Sequence, residues 1–209
     1  MPTAKSRLRR RLSPSSSATA RERTEELRIE RDHDDIQLRL KWTRFEPRSE
    51  IPAEIVDRVG RLLHVAYAPL VSRGLSDSGA TQDRSRTLER LSRGVAFVGS
   101  IRDEVVATGT VYLEPYPRSP SRWCRRNDLA FFVQLAVKPQ LQRRGIGSTL
   151  LTLFEHEARA ASKRHLALDT AEAANDLVAF YQRRSFELVE SVRWPGKRYR
   201  SVILSKDLT

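Results

Sequence analysis

The chain has 209 residues, 39% of them hydrophobic and 31% charged, which suits one domain with a buried core and is marginal for two. Its longest nearly unbroken apolar run, Leu129–Val137, is far shorter than the roughly 20 residues of a membrane-spanning helix, so no membrane partner is expected. Cys124 is the only cysteine, which excludes an internal disulfide and is compatible with a cytoplasmic location.

The charge is concentrated on the part of the chain expected to fold. The formal net charge is +12, and residues 1–35 hold nine basic and seven acidic residues, which leaves +10 on residues 36–209. A basic folded domain favours an anionic ligand, either a phosphorylated cofactor or a nucleic acid. Nucleic acid is not expected, because no known reader motif is present and the three tryptophans are not interleaved with the basic clusters. The four histidines lack metal-ligand spacing, so no metal is expected.

Residues 1–35 are predicted to form a disordered, charged N-terminal tail. A basic cluster at 7–11 and a Ser/Pro-rich stretch at 13–17 precede an almost wholly charged run without an apolar stripe. The first 21 residues are rich in Arg and Ser and lack acids, which is also typical of organelle transit peptides. A solvated extension is the preferred interpretation, and a targeting role stays open.

The first half of the domain, from residue 36, is predicted as a strand, two helices and a hairpin. Ile36, Leu38 and Leu40 alternate with polar residues, which indicates a strand. A helix is expected over 52–68, stopped by Pro69, and a second over 84–93 after a Gly/Ser/Asp-rich loop at 74–79. Two β-rich runs, 95–101 and 105–113, are joined by a short polar turn and predict a hairpin. A Pro-rich exposed loop follows over 115–128.

The second half is predicted as a buried strand followed by alternating helices and strands. The strand covers Leu129–Val137 and is closed by Pro139, which cannot donate to a sheet ladder. A helix begins at Ile146, and the remaining elements are a strand at 166–168, a helix at 176–184 and strands at 186–192 and 199–204. The fold class is therefore a mixed α/β (α+β) domain over residues 36–209.

The segment of residues 134–148, which reads QLAVKPQLQRRGIGS, carries the chemistry. Gly145 and Gly147 lie at the mouth of the predicted helix, where the first backbone N–H groups have no intrahelical partner and the dipole is positive. The missing side chains would let an anion approach those N–H groups. Gln142, Arg143 and Arg144 add hydrogen-bond donors and positive charge, so the arrangement suits a pyrophosphate.

Two common phosphate-binding motifs do not fit this segment. A dinucleotide fingerprint needs a third glycine where Leu150 stands, and a P-loop needs Lys where Ser148 follows Gly147. A glycine turn that only caps a helix is the alternative interpretation. The strand, the proline, the Gln-Arg-Arg run and the helix in this order argue against that alternative.

This segment resembles the acetyl-CoA-binding motif of the GNAT superfamily of N-acyltransferases, Gln/Arg-x-x-Gly-x-Gly/Ala, through Gln142, Gly145 and Gly147. A second block, residues 175–186, resembles the family pattern of Asn, then Phe-Tyr, then Gly-Phe, except that Ser185 replaces the glycine. With the element order, the resemblance covers about residues 36–209. It implies a mostly antiparallel central sheet flanked by helices, with a V-shaped splay between the fourth and fifth strands.

The resemblance also implies roles for individual residues. Backbone groups of Leu135, Ala136 and Val137 would pair with the pantetheine arm of acetyl-CoA, and an amide near Leu135 would polarise the thioester carbonyl. Tyr181 would be the general acid for the departing thiolate, although an aromatic side chain that only packs beside Phe180 is the alternative. The remaining implied cofactor residues are Gln142, Arg143, Arg144, Gly145, Ile146, Gly147 and Ser148 around the pyrophosphate, and Asn175 at pantetheine or at the start of its helix.

No general base can be assigned from the sequence. Gln134 lies beside the reactive strand and cannot titrate, although it could orient a water molecule. Four carboxylates lie near predicted strand ends, and none is assigned a role: Glu114, Asp128, Asp169 and Glu172. Cys124 is interpreted as a loop cysteine rather than a nucleophile, because no histidine is near it in sequence.

The expected function is transfer of acetyl from acetyl-CoA to an amine, by direct attack in a ternary complex. A catalytically weak acyl-CoA sensor or scaffold of the same fold is the alternative. The acceptor is expected to be a small molecule, since Arg118, Arg122, Arg125 and Arg126 make the 115–128 loop cationic and argue against polycationic acceptors. The acyl chain preference and a homodimer stay open.

Overall fold

The fold is an eight-stranded sheet with helices on both faces. The computed structural model describes residues 23–28, 39–75, 81–116 and 119–209. The strands are β1 (Arg23–Arg28), β2 (Arg39–Phe45), β3 (Val95–Ile101), β4 (Glu104–Tyr112), β5 (Leu129–Val137), β6 (His165–Ala171), β7 (Glu187–Val192) and β8 (Ser201–Asp207). The helices are α1 (Ala53–Val71), α2 (Arg84–Arg93), α3 (Ile146–Ala160) and α4 (Asn175–Gln182). Two 3₁₀ turns cover Trp123–Arg125 and Pro139–Leu141.

The sheet is antiparallel except at one junction. The strand order is β1-β2-β3-β4-β5-β6-β8-β7, and β5 and β6 form the parallel pair. These two strands are in register only from Leu129↔His165 to Phe131↔Ala167, although both continue beyond those residues. The V-shaped divergence predicted between the fourth and fifth strands of the domain is therefore confirmed.

Side chains alternate between the two faces of the sheet, and the two larger of three hydrophobic clusters lie on opposite faces. In β3, Ala96 and Val98 pack with Leu63 of α1 and Leu91 of α2. The intervening Phe97 points to the other face and packs with Phe154 of α3, their ring centroids 6.0 Å apart. Residues of α4 join this second core. Helices α1 and α2 thus cover one face of the sheet, and α3 and α4 cover the opposite face.

The predicted hairpin is confirmed as β3 and β4. Ile101 pairs with Glu104, which leaves a two-residue turn in which Arg102 and Asp103 have φ of 48° and 65°. Two consecutive left-handed residues match the right-handed twist of the flanking strands. The turn sets the pairing of Ile101 with Glu104, and the β3–β4 register shifts by one residue between Gly99 and Ser100.

The prediction that Pro69 ends the first helix is wrong. Helix α1 contains Pro69 and continues to Val71, and Pro52 is its N-cap rather than its first residue. A proline in the last turn removes a single N–H, and the backbone hydrogen bonds Ser72 N to Ala68 O (3.0 Å) and Leu75 N to Leu70 O (2.8 Å) still close the helix end.

The N-terminal segment differs from the expected disordered tail in one place. Arg23–Arg28 forms strand β1, which pairs antiparallel with β2 from Arg23↔Arg44 to Arg28↔Arg39. The outer edge of β2 would otherwise present unpaired backbone N–H and C=O groups, and such an edge is a template for another strand. Residues 1–22 and 29–38, with Ile36 and Leu38 of the expected first strand, lie outside the described residues, as do 76–80 of the predicted loop.

Candidate active site

A deep cleft opens where β5 and β6 separate. Its volume is about 990 Å³, and its walls include the edge of β5 up to Val137 and the edge of β6 from Leu168 to Ala171. Residues of α1 and α2 line it on one face of the sheet, and residues of α3 and α4 line it on the other. The cleft therefore passes through the sheet, with a mouth on each face.

An irregularity in β5 shapes the centre of this cleft. Gln134 has φ of 58°, and the register between β4 and β5 shifts between Thr108 and Thr110. Opposite the shift, a Cβ on Gly109 would lie 2.5 Å from Cζ of Phe154 and 3.5 Å from the Leu135 Cα, so only glycine fits. Such a bulge turns backbone groups out of the β4–β5 ladder, and the residues that carry it, Gln134 and Leu135, line the cleft.

Two side chains flank the bulge, Tyr67, which the sequence did not indicate, and Gln134, which the sequence placed beside the reactive strand. The Tyr67 hydroxyl, on α1, donates to the Leu135 carbonyl oxygen at 3.3 Å. Burial raises the pKa of Tyr67 to about 12, so the hydroxyl stays protonated at neutral pH. The Gln134 side chain is 6% exposed and lines the cleft, and its amide nitrogen and oxygen have no partner among the described residues. A buried amide without partners is costly, which is the condition for taking up a water molecule or a ligand group.

The N-terminus of α3 forms the anion-binding end of the cleft. Gly145 has φ of 88° and caps α3, whose first residues Ile146, Gly147 and Ser148 have backbone N–H groups without intrahelical acceptors. A Cβ on Gly147 would meet Phe180 at an ordinary 3.5 Å. The Gly147 backbone therefore forms the cleft wall at this point, and neighbouring side chains do not block it. The Gln142 side chain donates to the Val137 carbonyl at 3.1 Å and ties the loop to the end of β5.

Arg184 adds a cation at this end that sequence reasoning missed. Its guanidinium stacks over the Phe180 ring at 3.8 Å and donates to the Ser148 hydroxyl oxygen at 2.7 and 3.1 Å. Burial lowers its pKa, yet an arginine remains protonated at neutral pH. The Arg183-Arg184 pair directly after the Phe-Tyr block was the available signal.

Tyr181 lies in the cleft wall and also in an aromatic cluster. Its ring centroid is 5.9 Å from that of Phe132, 5.1 Å from Phe180 and 5.8 Å from Phe186. The side chain is 6% exposed, and burial raises the pKa of its hydroxyl well above the ordinary value. Tyr181 can therefore donate a hydrogen bond into the cleft, and it resists ionisation.

The structure brings together most of the site residues predicted from sequence. Those that line the cleft are Leu135, Ala136, Val137, Gln142, Arg143, Gly147 and Tyr181. Arg144, Gly145, Ile146 and Ser148 lie beside it at the start of α3 without lining it. Asn175 is the first residue of α4, is exposed and does not line the cleft.

Of the four carboxylates near strand ends, Asp169 alone lines the cleft. Its carboxylate accepts from the Lys197 ammonium at 3.1 Å. Glu172 is exposed, and Asp128 pairs with Arg126 at 2.7 Å, whose hydrogen bond lowers the Asp128 pKa. Cys124 lines the cleft as well, and burial raises the pKa of its thiol. Within the described residues no cluster of three or more His, Cys, Asp or Glu could hold a metal ion.

The mouth on the α1 and α2 face is built from aromatic and cationic side chains. Arg86, Arg90 and Arg93 project from α2, and Tyr112 and Tyr116 lie beside them. Trp194, Lys197 and Tyr199, from the segment between β7 and β8, line the same cleft. The α2 arginines were not among the site residues predicted from the sequence.

The family of the chain follows from comparison with known proteins. Residues 63–186 match the model of the acetyltransferase (GNAT) family, which is more than half of the chain, and the chain belongs to this family. The resemblance read from Gln142, Gly145 and Gly147 is thereby confirmed. The comparison with curated protein sequences gives no match.

Solved structures share the fold. PH1933 from Pyrococcus horikoshii OT3 superimposes with a TM-score of 0.60 at 18% identity, covering 80% of this chain and 98% of that protein. The ribosomal-protein-S18-alanine N-acetyltransferase from Escherichia coli gives 0.56 at 16% identity, with 80% and 94% covered. A GNAT family acetyltransferase from Elizabethkingia anophelis with acetyl-CoA bound gives 0.51 at 15% identity, with 80% and 97% covered. At these identities the likeness concerns the fold alone.

No described helix is long and apolar enough to span a membrane.

Proposed function

We propose that this chain transfers an acetyl group from acetyl-CoA to the amine of a small molecule, by direct attack in a ternary complex. The observation that carries the proposal is the divergence of β5 from β6 beside the N-terminus of α3. The divergence leaves one edge of each strand without a neighbour from Val133 to Val137 and from Leu168 to Ala171. An extended, amide-containing pantetheine arm can pair with such an edge as a strand would.

The charged groups at the α3 end fit the phosphates of the donor. Backbone N–H groups of the first turn of α3 and the positive end of its dipole favour a diphosphate. Arg143, Arg183 and Arg184 line the same end of the cleft and supply guanidinium donors. The thioester, at the other end of the pantetheine arm, would then lie near the bulge at Gln134 and Leu135.

The bulge supplies groups that would act on the thioester carbonyl. A backbone N–H turned out of the ladder near Leu135 would stabilise the negative charge that develops on the carbonyl oxygen. Tyr67 holds the Leu135 carbonyl oxygen and so fixes the orientation of the peptide groups on either side. The unpartnered Gln134 amide would bind the attacking amine or a water molecule beside it.

Direct transfer, without an acyl-enzyme, agrees with the state of Cys124. Burial raises the pKa of its thiol and so disfavours the thiolate, which is the nucleophilic form. In the proposed reaction the amine attacks the thioester carbonyl itself, after losing its proton. Asp169 is the carboxylate placed to accept that proton, either directly or through water.

Tyr181 would assist departure of the CoA thiolate as a hydrogen-bond donor. A thiol has an ordinary pKa near 8.5, whereas burial raises the pKa of Tyr181 above its ordinary value near 10. Full proton transfer from Tyr181 to the thiolate is therefore uphill. Tyr181 would stabilise the thiolate while the proton released by the amine is delivered to solvent or to sulfur.

The test is acetyl-CoA binding by calorimetry, with thiol release in the presence of amines. Gly147→Asp places a negative charge where the diphosphate is expected, although an acidic residue in the first turn favours the helix itself. We expect this substitution to weaken acetyl-CoA binding about tenfold or more, which is ~1.4 kcal/mol. Gly147→Ala is the matched control, since its Cβ meets only ordinary contacts.

Equal affinities for the wild type and Gly147→Asp would contradict this cofactor position. Absence of acetyl-CoA binding by the wild type at millimolar concentration would contradict the proposed function. Binding without thiol release from any amine would favour the acyl-CoA sensor or scaffold instead.

A further inference from the structure

We infer that the amine acceptor carries a carboxylate, which Arg90 and Arg93 of α2 bind at the mouth opposite the phosphate end. This inference rests on the proposed function, because it names the substrate class of the same cleft. The two arginines are three residues apart on α2, so their side chains leave the same face of the helix. Both line the cleft.

The charges at this mouth are unbalanced in a way that points to a ligand. Four cations line it, Arg86, Arg90, Arg93 and Lys197, whereas the carboxylates that line the whole cleft are Glu89, Asp169 and Asp176, the last of which pairs with Arg73 at 3.2 Å. Glu89 pairs with Arg86, and Asp169 pairs with Lys197 at 3.1 Å. Among the described residues, no carboxylate lies within ion-pair distance of Arg90 or Arg93. The two guanidinium groups are thus the unmatched positive charges of the mouth.

Arg90 is held in place by a buried hydrogen-bond chain. Its Nη1 donates to the Gln82 side-chain oxygen at 2.9 Å, and the Gln82 amide nitrogen donates to the Thr87 hydroxyl at 2.8 Å. Gln82 and Thr87 are buried. One nitrogen of Arg90 is used to fix the side chain, and the remaining N–H groups are left for an acceptor. Pre-organisation of this kind lowers the entropy lost when a ligand binds.

Arg93 is oriented by aromatic rings rather than by an acid. Its guanidinium carbon lies 3.9 Å from the Tyr116 ring centroid and 4.8 Å from that of Tyr112. Stacking uses the faces of the guanidinium plane and leaves its N–H groups directed outward in that plane. A carboxylate is the planar partner that such an edge binds with two parallel hydrogen bonds.

The position of these arginines separates them from the donor phosphates. Leu91 of α2 packs with α1 on one face of the sheet, whereas α3 and α4, which frame the phosphate end, cover the other face. The cleft joins the two mouths through the gap between β5 and β6. The charge of Arg90 offsets part of the rise that burial causes in the Tyr67 pKa, and Tyr67 in turn donates to the Leu135 carbonyl at the bulge. An amine can therefore reach the bulge while its carboxylate stays at α2.

The experiment compares α-, β- and ω-amino acids with their primary amides and decarboxylated amines as acceptors. Thiol release is measured at pH 8 with saturating acetyl-CoA. Primary amides of α-amino acids have the more acidic ammonium group, so they present more free amine at this pH. A preference for the acid therefore cannot arise from amine availability. We expect the best acid to exceed its own amide in kcat/KM.

Two substitutions then locate the carboxylate. Arg90→Ala and Arg93→Ala should each lower kcat/KM for the acid ~10- to 100-fold, the effect of losing a hydrogen bond between charged groups. The matched amide should change by less than about threefold, and Arg90→Lys should recover part of the loss. Arg84→Ala is the control on the same helix, because Arg84 pairs with Asp57 outside the cleft. Thermal unfolding confirms that each variant is folded.

The outcomes separate this inference from the proposed function. Equal losses for acid and amide, a wild-type preference for amides or phosphorylated amines, or no turnover of any acid by protein that binds acetyl-CoA would each overturn the carboxylate site. Failure of the wild type to bind acetyl-CoA would overturn the proposed function and this inference together. An acid preference abolished by Arg90→Ala or Arg93→Ala, with unchanged acetyl-CoA affinity, supports the carboxylate site.

Discussion

Tyr181 is buried in an aromatic cluster and also lines the cleft. Its ring packs in the core, and only its hydroxyl would take part in the proposed reaction. Phenylalanine at this position keeps the ring contacts with Phe132, Phe180 and Phe186 and removes the hydroxyl. We expect Tyr181→Phe to lower kcat ~10- to 100-fold, the range for a hydrogen bond to a charged group, with little change in acetyl-CoA affinity. Steady-state kinetics and calorimetry measure the two quantities. An unchanged kcat would leave Tyr181 with a packing role alone.

Ser185 occupies a position where the backbone is left-handed. Its φ is 65°, in the turn that follows α4, where the Phe186 N–H bonds to the Tyr181 carbonyl at 3.2 Å. A non-glycine residue costs about 1–2 kcal/mol in this conformation. Part of the gain from glycine is offset because glycine loses more entropy on folding.

We therefore expect Ser185→Gly to raise the free energy of unfolding by about 0.5–1 kcal/mol, measured by urea denaturation. Ser185→Ala is the control, since it keeps the left-handed cost and should bring no gain. A Ser185→Gly protein less stable than the wild type would contradict this account.

Site residues that are contiguous in sequence could be predicted, and those assembled by the fold could not. Gln142, Gly145 and Gly147 follow one another around one loop, so their spacing, together with the strand before them and the helix after them, predicts a phosphate site. Tyr67 and Arg90 reach the same cleft from α1 and α2, and nothing in their local sequence distinguishes them from other helix-surface residues. Arg184 is intermediate, because it adjoins a predicted block but acquires its partner Ser148 only through packing.

Gly109 determines how β4, β5 and α3 fit together. A Cβ there would lie 2.5 Å from Cζ of Phe154, a side chain that is fully buried between β3 and β5. We expect Gly109→Ala to destabilise the fold by about 1–3 kcal/mol, the usual cost of overpacking. It should also weaken acetyl-CoA binding, because relief of the clash must move the bulge at Gln134.

Gly60→Ala provides the comparison for that experiment. Gly60 lies inside α1, and its Cβ would meet only Thr87 Oγ1 at 3.9 Å. Alanine in a helix interior is favoured over glycine by roughly 0.5–1 kcal/mol, so this substitution should stabilise the protein. Urea denaturation of both variants tests the contrast. A Gly109→Ala protein as stable as the wild type would show that the Phe154 ring can yield.

Elements whose hydrophobic pattern is strong were predicted with their type and nearly their bounds. Helix α2 and strand β5 match residue for residue; Pro139 marked the end of the strand in the sequence, and the structure shows that Asp83 caps α2. Pro69 misled the prediction because a proline can stand inside a helix when the surrounding backbone bonds still form, as Ser72 N to Ala68 O does here. Strand β1 could not be predicted, since its charged sequence lacks an apolar alternation and its partner edge exists only in the folded sheet.

At the scale of the whole molecule, buried tyrosines couple stability to alkaline pH. Burial raises the pKa of Tyr112 to about 12 and raises that of Tyr181 as well, from an ordinary value near 10. The folded state then holds these protons more tightly than the unfolded state. The stability that these two tyrosines contribute is fully present below pH ~10. It is lost as the pH rises towards 12, because only the unfolded chain ionises in that range.

The measurement is the urea midpoint at pH 8, 9.5 and 11. We expect the loss between pH 9.5 and 11 to be smaller in a Tyr112→Phe/Tyr181→Phe protein than in the wild type, since phenylalanine has no proton to lose. Lysines titrate in the same range and affect both proteins equally, which makes the difference informative. Identical pH profiles would show that the two hydroxyls do not govern alkaline unfolding.

The passage between β5 and β6 has a kinetic consequence. Because the cleft is lined from both faces of the sheet, we expect the donor and the amine to enter from opposite faces without blocking each other. Each product can then leave on the side where its precursor entered. A donor lodged beside α3 would leave the α2 entrance unobstructed. Initial-rate plots should then show intersecting lines, and the two substrates should add in random order. Free CoA should compete with acetyl-CoA without preventing the amine from binding.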